Sequence, residues 1–184
     1  MTLRVTILML LIGAVASSTA TAGVYLGWKS YGDFCQDADS EARSAAAFGF
    51  DYQLGLLQIA DLGLALEYSW GDIDYDCLLC EDIDLEDASF KHVAARAEAR
   101  IPIFKPSITE FYIGGGLSYN WFFDVSLDDC GTDEKMTGIH GLGGVKISPP
   151  VMPVWFTVEG RYEWLGSDPR ITVGGVYLGV GFGL

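Results

Sequence analysis

The chain has 184 residues and a formal net charge of −14, with 25 acidic against 11 basic side chains. That surplus excludes nucleic acid as an expected partner, because phosphate binding needs a basic face. Half of the residues are hydrophobic, 13% are aromatic and mean hydropathy is +0.27, so strong charge and apolar character must occupy different parts of the fold.

The N-terminus carries one early cation, Arg4, then an apolar run over 5–16 and a small-residue stretch ending in Ala20, Thr21 and Ala22. This layout predicts a secretory signal peptide over 1–22, cleaved after Ala22. The apolar run is shorter than the ~20 residues a transmembrane helix needs. The expected mature chain, 23–184, suits one domain in an oxidising compartment, where cysteines form disulfides.

After the leader no stretch is long and apolar enough for a membrane helix, and alternation with period two recurs eight times. The segment 24–30, the shortest, sets Val24, Leu26 and Trp28 against Tyr25, Gly27 and Lys29. In 45–54, Phe48, Phe50 and Tyr52 oppose Gly49, Asp51 and Gln53; in 62–70, Leu62, Leu64, Leu66, Tyr68 and Trp70 oppose Gly63, Ala65, Glu67 and Ser69. In 90–103, Val93, Ala95, Ala97, Ala99 and Ile101 oppose His92, Arg96, Glu98 and Arg100. In 110–123, Phe111, Ile113, Leu117, Tyr119 and Trp121 oppose Tyr112, Gly114, Gly116, Ser118 and Asn120. The segment 137–147 sets Ile139, Val145 and Ile147 against His140 and Lys146, with Leu142 out of step. In 154–164, Val154, Phe156, Val158, Tyr162 and Trp164 oppose Thr157, Glu159, Arg161 and Glu163. In 171–184, Val176, Leu178, Val180, Phe182 and Leu184 oppose Gly175, Gly179, Gly181 and Gly183.

Alternation alone does not say which face is buried. The polar face is mostly Gly, Ala and Ser with a few charges of both signs, which suits the crowded interior of an eight-stranded barrel. The apolar face carries Trp28, Tyr68, Trp70, Tyr119, Trp121, Tyr162 and Trp164 near the same end of their strands, the pattern of an aromatic girdle at a membrane interface. Long connections, 31–43, 71–89 and 124–136, alternate with short ones, 55–61, 104–107 and 148–153, as in outer-membrane barrels. The expected fold is therefore all-β, an eight-stranded antiparallel up-and-down transmembrane β-barrel.

With "GVYLGWKS" after the leader, repeated Gly/aromatic strands and the terminal "YLGVGFGL", the chain resembles the small eight-stranded OmpA/OmpX-like outer-membrane barrels of Gram-negative bacteria. The resemblance covers the whole mature chain. It implies a last strand of alternating apolar residues ending in an aromatic; Val180 and Phe182 match, whereas the last residue is Leu184. Members of that family act as membrane anchors, adhesins, narrow pores or enzymes, so the resemblance implies an outer-membrane location more sharply than an activity.

Candidate chemistry lies in three places. The inward charges Glu67, Arg96, Glu98, Glu159 and Arg161 fall near mid-height, with Lys146, Arg100 and Glu110 nearer the short turns; in a narrow lumen they must pair. They make either a packed plug or, if Arg96 or Arg161 switches carboxylate partners, a gated channel. A catalytic reading would need His92 or His140 beside Ser89, Ser118 or Glu163, and no motif supports the triad geometry of acyl-transfer chemistry, so no enzymatic activity is expected.

The three long connections hold 17 of the 25 acids. "DIDYDC" opens like a calcium loop, but Cys77 replaces the required Gly and Ile83 the closing Glu, which excludes an EF-hand and leaves weak divalent-cation binding. Cys35, Cys77, Cys80 and Cys130 fall one, two and one in those connections. Only one close pair exists, against the two a zinc site usually uses, so disulfides are expected: either Cys35 and Cys130 each bonded to one of Cys77 and Cys80, or a local Cys77–Cys80 bond with Cys35–Cys130. The expected protein is a monomer in outer-membrane lipid, without cofactor, acting in envelope structure, adhesion or surface binding; a narrow porin-like channel is the alternative.

Overall fold

The computed structural model describes residues 19–32, 44–56, 59–73, 88–123, 135–166 and 171–183. They form eight strands: β1 (Thr19–Gly32), β2 (Ser44–Leu56), β3 (Ala60–Ile73), β4 (Ala88–Phe104), β5 (Thr109–Phe123), β6 (Lys135–Ile147), β7 (Val154–Leu165) and β8 (Ile171–Gly183). Each pairs antiparallel with the next, and β8 returns beside β1, from Thr21↔Gly183 to Gly32↔Thr172, to close a barrel. Closure leaves no unpaired sheet edge, the condition for a β-structure to cross a bilayer.

The strands are strongly tilted. Direct lateral partners of Gly27, in the middle of β1, are Ala47, then Ser69, then His92, then Phe122, the penultimate residue of β5. Such stagger is what an eight-stranded wall needs to close around side chains alone.

Period-two alternation is carried through every strand. Leu26, Leu64, Leu117 and Leu178 lie on the outer wall, while Gln53, Glu67, Asn120 and Glu159 are buried inside. The outer wall is one continuous apolar surface, far larger than the patches tolerated on soluble monomers, and it matches hydrocarbon.

Two departures from the sequence reading have local causes. β1 starts at Thr19 rather than Val24, because small Thr19, Ala20, Thr21 and Ala22 give no alternation signal yet pair with Gly55, Leu54, Gln53 and Tyr52 of β2. Cleavage after Ala22 would leave residues 23–32, still the ~9–11 residues of a tilted spanning strand. Leu142 is not out of step: it is buried on the same inward face as His140 and Met136, an apolar lumen residue in phase.

In β4 the register shifts between Pro102 and Phe104, where proline has no N–H to continue the ladder. The turn that follows places Ser107 at φ 54° and closes with Thr109 N donating to Pro106 O at 3.0 Å. Gly166, at φ 73°, takes the chain out of β7 through the left-handed region that only glycine enters freely.

The core of the molecule is its lumen. Tyr25, Ala47, Ala65 and Tyr177 pack at mid-height. Gly27 makes room for the Tyr177 ring and Gly49 for the Tyr25 ring, since a Cβ at either would collide with it. Toward the long-connection rim Tyr31, Ala45, Phe90, Phe122, Met136, Leu165, Ile171 and Val173 form a second buried cluster that caps the charged interior.

Candidate functional site: the charged lumen

Glu67 of β3 is the upper hub. It is fully buried and accepts from Lys29 Nζ at 2.7 Å and from Arg96 Nη2 at 3.2 Å through Oε1, with Arg96 Nη1 3.0 Å from Oε2. Arg96 reaches across the lumen to donate to Glu163 Oε2 at 3.0 Å. Two cations and two carboxylates thus balance in the upper half.

The lower hub is Glu98 with Glu159. Arg100 Nη2 lies 2.6 Å from Glu98 Oε1 and 3.0 Å from Glu159 Oε2; Arg161 Nη2 donates to Glu159 Oε1 at 2.6 Å and to Glu98 Oε2 at 3.4 Å. Tyr112 donates its hydroxyl to Glu159 Oε2 at 3.0 Å. Asp51 accepts a short hydrogen bond from Gln53 and sits 3.7 Å from Arg100. Arg161 Nη1, 4.0 Å from Glu67 Oε2, links the two halves.

Three carboxylates, Asp51, Glu98 and Glu159, face two permanent cations here among the described residues. His140 Nε2 lies 3.4 Å from Glu98 Oε2. The guanidinium of Arg161 also lies over the Tyr177 and Tyr25 rings, at 5.0 and 5.9 Å from the centroids, and that of Arg100 lies over Tyr112 at 5.3 Å. Ring faces carry negative charge density, so they compensate buried cations further.

Above Glu67 a neutral relay connects the network to the cap. His92 Nδ1 is met by Lys29 Nζ at 3.2 Å, Tyr31 Oη at 3.0 Å and Ser69 Oγ at 3.2 Å. An ammonium can only donate, so Nδ1 is the acceptor and the imidazole proton sits on Nε2, donated to Asn120 Oδ1 at 2.8 Å. Asn120 Nδ2 in turn donates to Ser118 at 2.9 Å and Glu163 at 3.3 Å. The His92 ring stacks on Phe122 of the cap, centroids 4.4 Å apart.

The structure therefore joins Glu67, Arg96, Glu98, Glu159 and Arg161 in a single chain of ion pairs. Sequence reasoning missed Lys29, Asp51 and Asn120 as members. The signal was there, since all three sit at inward positions of their alternation, but lone polar residues beside Gly or Ala do not reveal cross-lumen partners. Lys146, nearer the short turns, lies over the ring of Trp155 at 5.0 Å, and Glu110 pairs with Lys105 at 2.8 Å on the rim.

The two histidines sit in different surroundings. Ser69, His92 and Asn120 form a serine–histidine–amide row, but Ser69 and His92 are wholly buried and Ser69 is tied to Tyr31 at 3.1 Å. A substrate would have to displace the cap to reach the hydroxyl. The side chain of Ser89 lies outside the described residues.

On the outer wall Trp28, Tyr68, Trp70, Tyr119, Tyr162 and Trp164 are exposed, and Trp121 is partly covered by Tyr119, ring centroids 4.5 Å apart. All seven lie on the half of their strands nearer the rim that carries the long connections. Cys35, Cys77, Cys80, Cys130 and the acid-rich connections lie outside the described residues. Among the described residues no group of three or more His, Cys, Asp or Glu side chains is arranged to hold a metal ion.

No protein-family model matches the chain, and no curated protein sequence matches it significantly. Solved structures do. Neisserial surface protein A (NspA) superposes with a TM-score of 0.61 at 17% identity, over 90% of this chain and 98% of that one. Ail, the attachment invasion locus protein of Yersinia pestis, solved with the heparin analogue sucrose octasulfate, gives 0.56 at 15% identity, over 91% and 99%. The outer membrane enzyme PagL gives 0.56 at 10% identity, over 85% and 97%. At these identities the likeness is one of fold: this chain has the fold of the small eight-stranded outer-membrane β-barrels.

Proposed function

We propose that this barrel is a sealed membrane anchor that holds acidic, disulfide-linked loops at the cell surface and acts in envelope structure or surface attachment. One observation carries the reading: the middle of the lumen is filled by ion-paired side chains, with Lys29 and Arg96 no more than 2% exposed, beneath an apolar cap. A lumen spent on internal pairing leaves the loops as the working surface. They hold 17 of 25 acids, so the partner they suit is cationic: a basic protein segment, a polyamine or a weakly held divalent ion. That is the opposite charge from the sucrose octasulfate carried by Ail.

The protein acts as a monomer, without catalysis or cofactor, on this reading. Single-channel recording in planar bilayers tests it: the expected trace is silent at every voltage, and discrete openings would refute the seal. Binding of a basic peptide to cells displaying the chain, lost in a variant with the acids of 71–89 neutralised, tests the loops. A narrow channel is the second reading. It is favoured by Arg161, which lies within 4.0 Å of three carboxylates and so has alternative partners.

A further inference from the structure

The short-turn rim is the opposite of the long-loop rim in chemistry. Each of its three turns carries an exposed aliphatic side chain: Ile59 before β3, Ile108 between β4 and β5, and Val151 with Met152 between β6 and β7, Val151 being 88% exposed. Phe104 stacks on Phe111 at the same rim, centroids 6.1 Å apart, and both face outward. The most exposed charge there, Lys105, is paired with Glu110.

Height places these residues. The outward face from Trp121 down to Phe111 spans about 25 Å, at ~3.3 Å per residue and ~40° tilt, which is the full apolar band of an outer-membrane barrel. With Trp121 at the upper interface, Phe111 and Phe104 sit at the lower boundary of the hydrocarbon, and the turns follow in the headgroup layer. The aliphatic turn residues are continuous with the lipid-facing wall above them.

The backbone of the turn 148–153 is suited to poor hydration. Pro149, Pro150 and Pro153 have no N–H; Ser148 N donates to Ile108 O at 2.8 Å and Met152 N to Pro149 O at 3.4 Å. Five of these six residues therefore present no free donor, as a segment held against apolar surroundings requires.

We infer that the short-turn rim is a lipid-docking surface: the turns at Ile59, Ile108 and Val151–Met152 lie within the periplasmic-leaflet phospholipid and not in the periplasm. The barrel is held at its lower end by aliphatic insertion, where its upper end uses an indole and phenol girdle.

The test places the full chain, methyl-labelled at Ile, Val and Met, in phospholipid nanodiscs holding one barrel each. Methyl signals are recorded with a headgroup-proximal nitroxide phospholipid and, separately, with a soluble gadolinium chelate. The expected result is that Ile108, Val151 and Met152 lose more intensity to the lipid-borne label than to the chelate. Greater loss to the chelate would show turns standing in water and overturn the inference. Protection from both would overturn it too, by showing the rim covered by another segment of protein.

Discussion

Substitution Glu67→Gln removes one negative charge from the upper hub and changes almost nothing in shape. Lys29, 2.7 Å away, then faces a neutral amide, and Arg96 keeps only Glu163 at 3.0 Å. All four side chains are at most 1% exposed, so water cannot screen the orphaned cation. Breaking a buried pair in this way costs about 3–5 kcal/mol, a large share of a typical net stability of ~5–15 kcal/mol. The rim pair Lys105–Glu110, with Lys105 at 69% exposure, supplies the control: Glu110→Gln should cost about 0–1 kcal/mol. Adding Lys29→Met to Glu67→Gln restores local balance, and the pair should couple by about 1–3 kcal/mol in a double-mutant cycle. Urea unfolding from phospholipid vesicles, followed by Trp fluorescence, measures all four variants. A Glu67→Gln loss no larger than that of Glu110→Gln would refute the view that the lumen network holds the barrel together.

The outer wall and the glycines give further expectations. Leu178→Arg, at an outward site flanked by Leu26 and Val158, should destabilise the barrel in bilayers by ~2–4 kcal/mol, read from the same urea transitions. Gly49→Ala should cost ~1–3 kcal/mol by forcing the Tyr25 ring aside, whereas Gly141→Ala, whose Cβ meets nothing within 4 Å, should be close to neutral. The cap makes a conductance prediction: Phe90→Ala with Phe122→Ala should still leave the bilayer current silent, because the ion pairs around Glu67 and Glu98 lie beneath it, and a steady leak would place the seal in the cap alone.

Much of this architecture is legible before any coordinate is seen, for reasons particular residues make plain. Trp28, Trp70, Trp121 and Trp164 recur at one height only if their strands stand side by side, so the girdle implies the barrel. The inward placement of Glu67, Arg96 and Arg161 follows from their phase against leucines and tyrosines. Partner choice is not legible, because it depends on stagger: Arg96 meets Glu163 from β7 across the lumen, at a sequence separation of 67. Nor is the apolar cap, since Tyr31, Phe90 and Phe122 sit at strand ends, where an inward aromatic interrupts the expected small-and-polar face. Leu142 looks out of step in the sequence for the same reason: it is an apolar side chain in the inward phase. Strand phase holds at these positions; the assumption that inward means polar does not.

The vertical order of the lumen and rims fixes how the molecule can sit. Acids crowd the long connections, and a carboxylate cannot cross hydrocarbon without a large desolvation cost. Aliphatic turns mark the other rim, where Val151 and Met152 gain nothing from water. Between them most charge-bearing residues face inward into ion pairs, Lys91 and Lys135 facing outward at the long-connection ends of β4 and β6, so the wall from the girdle down to the short-turn rim shows lipid apolar side chains. Each of the three layers would be unstable in the place of either neighbour. A barrel inverted in the bilayer would draw its acid-rich loops toward the periplasm and leave its aliphatic turns exposed to the medium. On the proposed reading, the same asymmetry that orients the chain would give its acid-rich face to cationic partners and its lower rim to lipid.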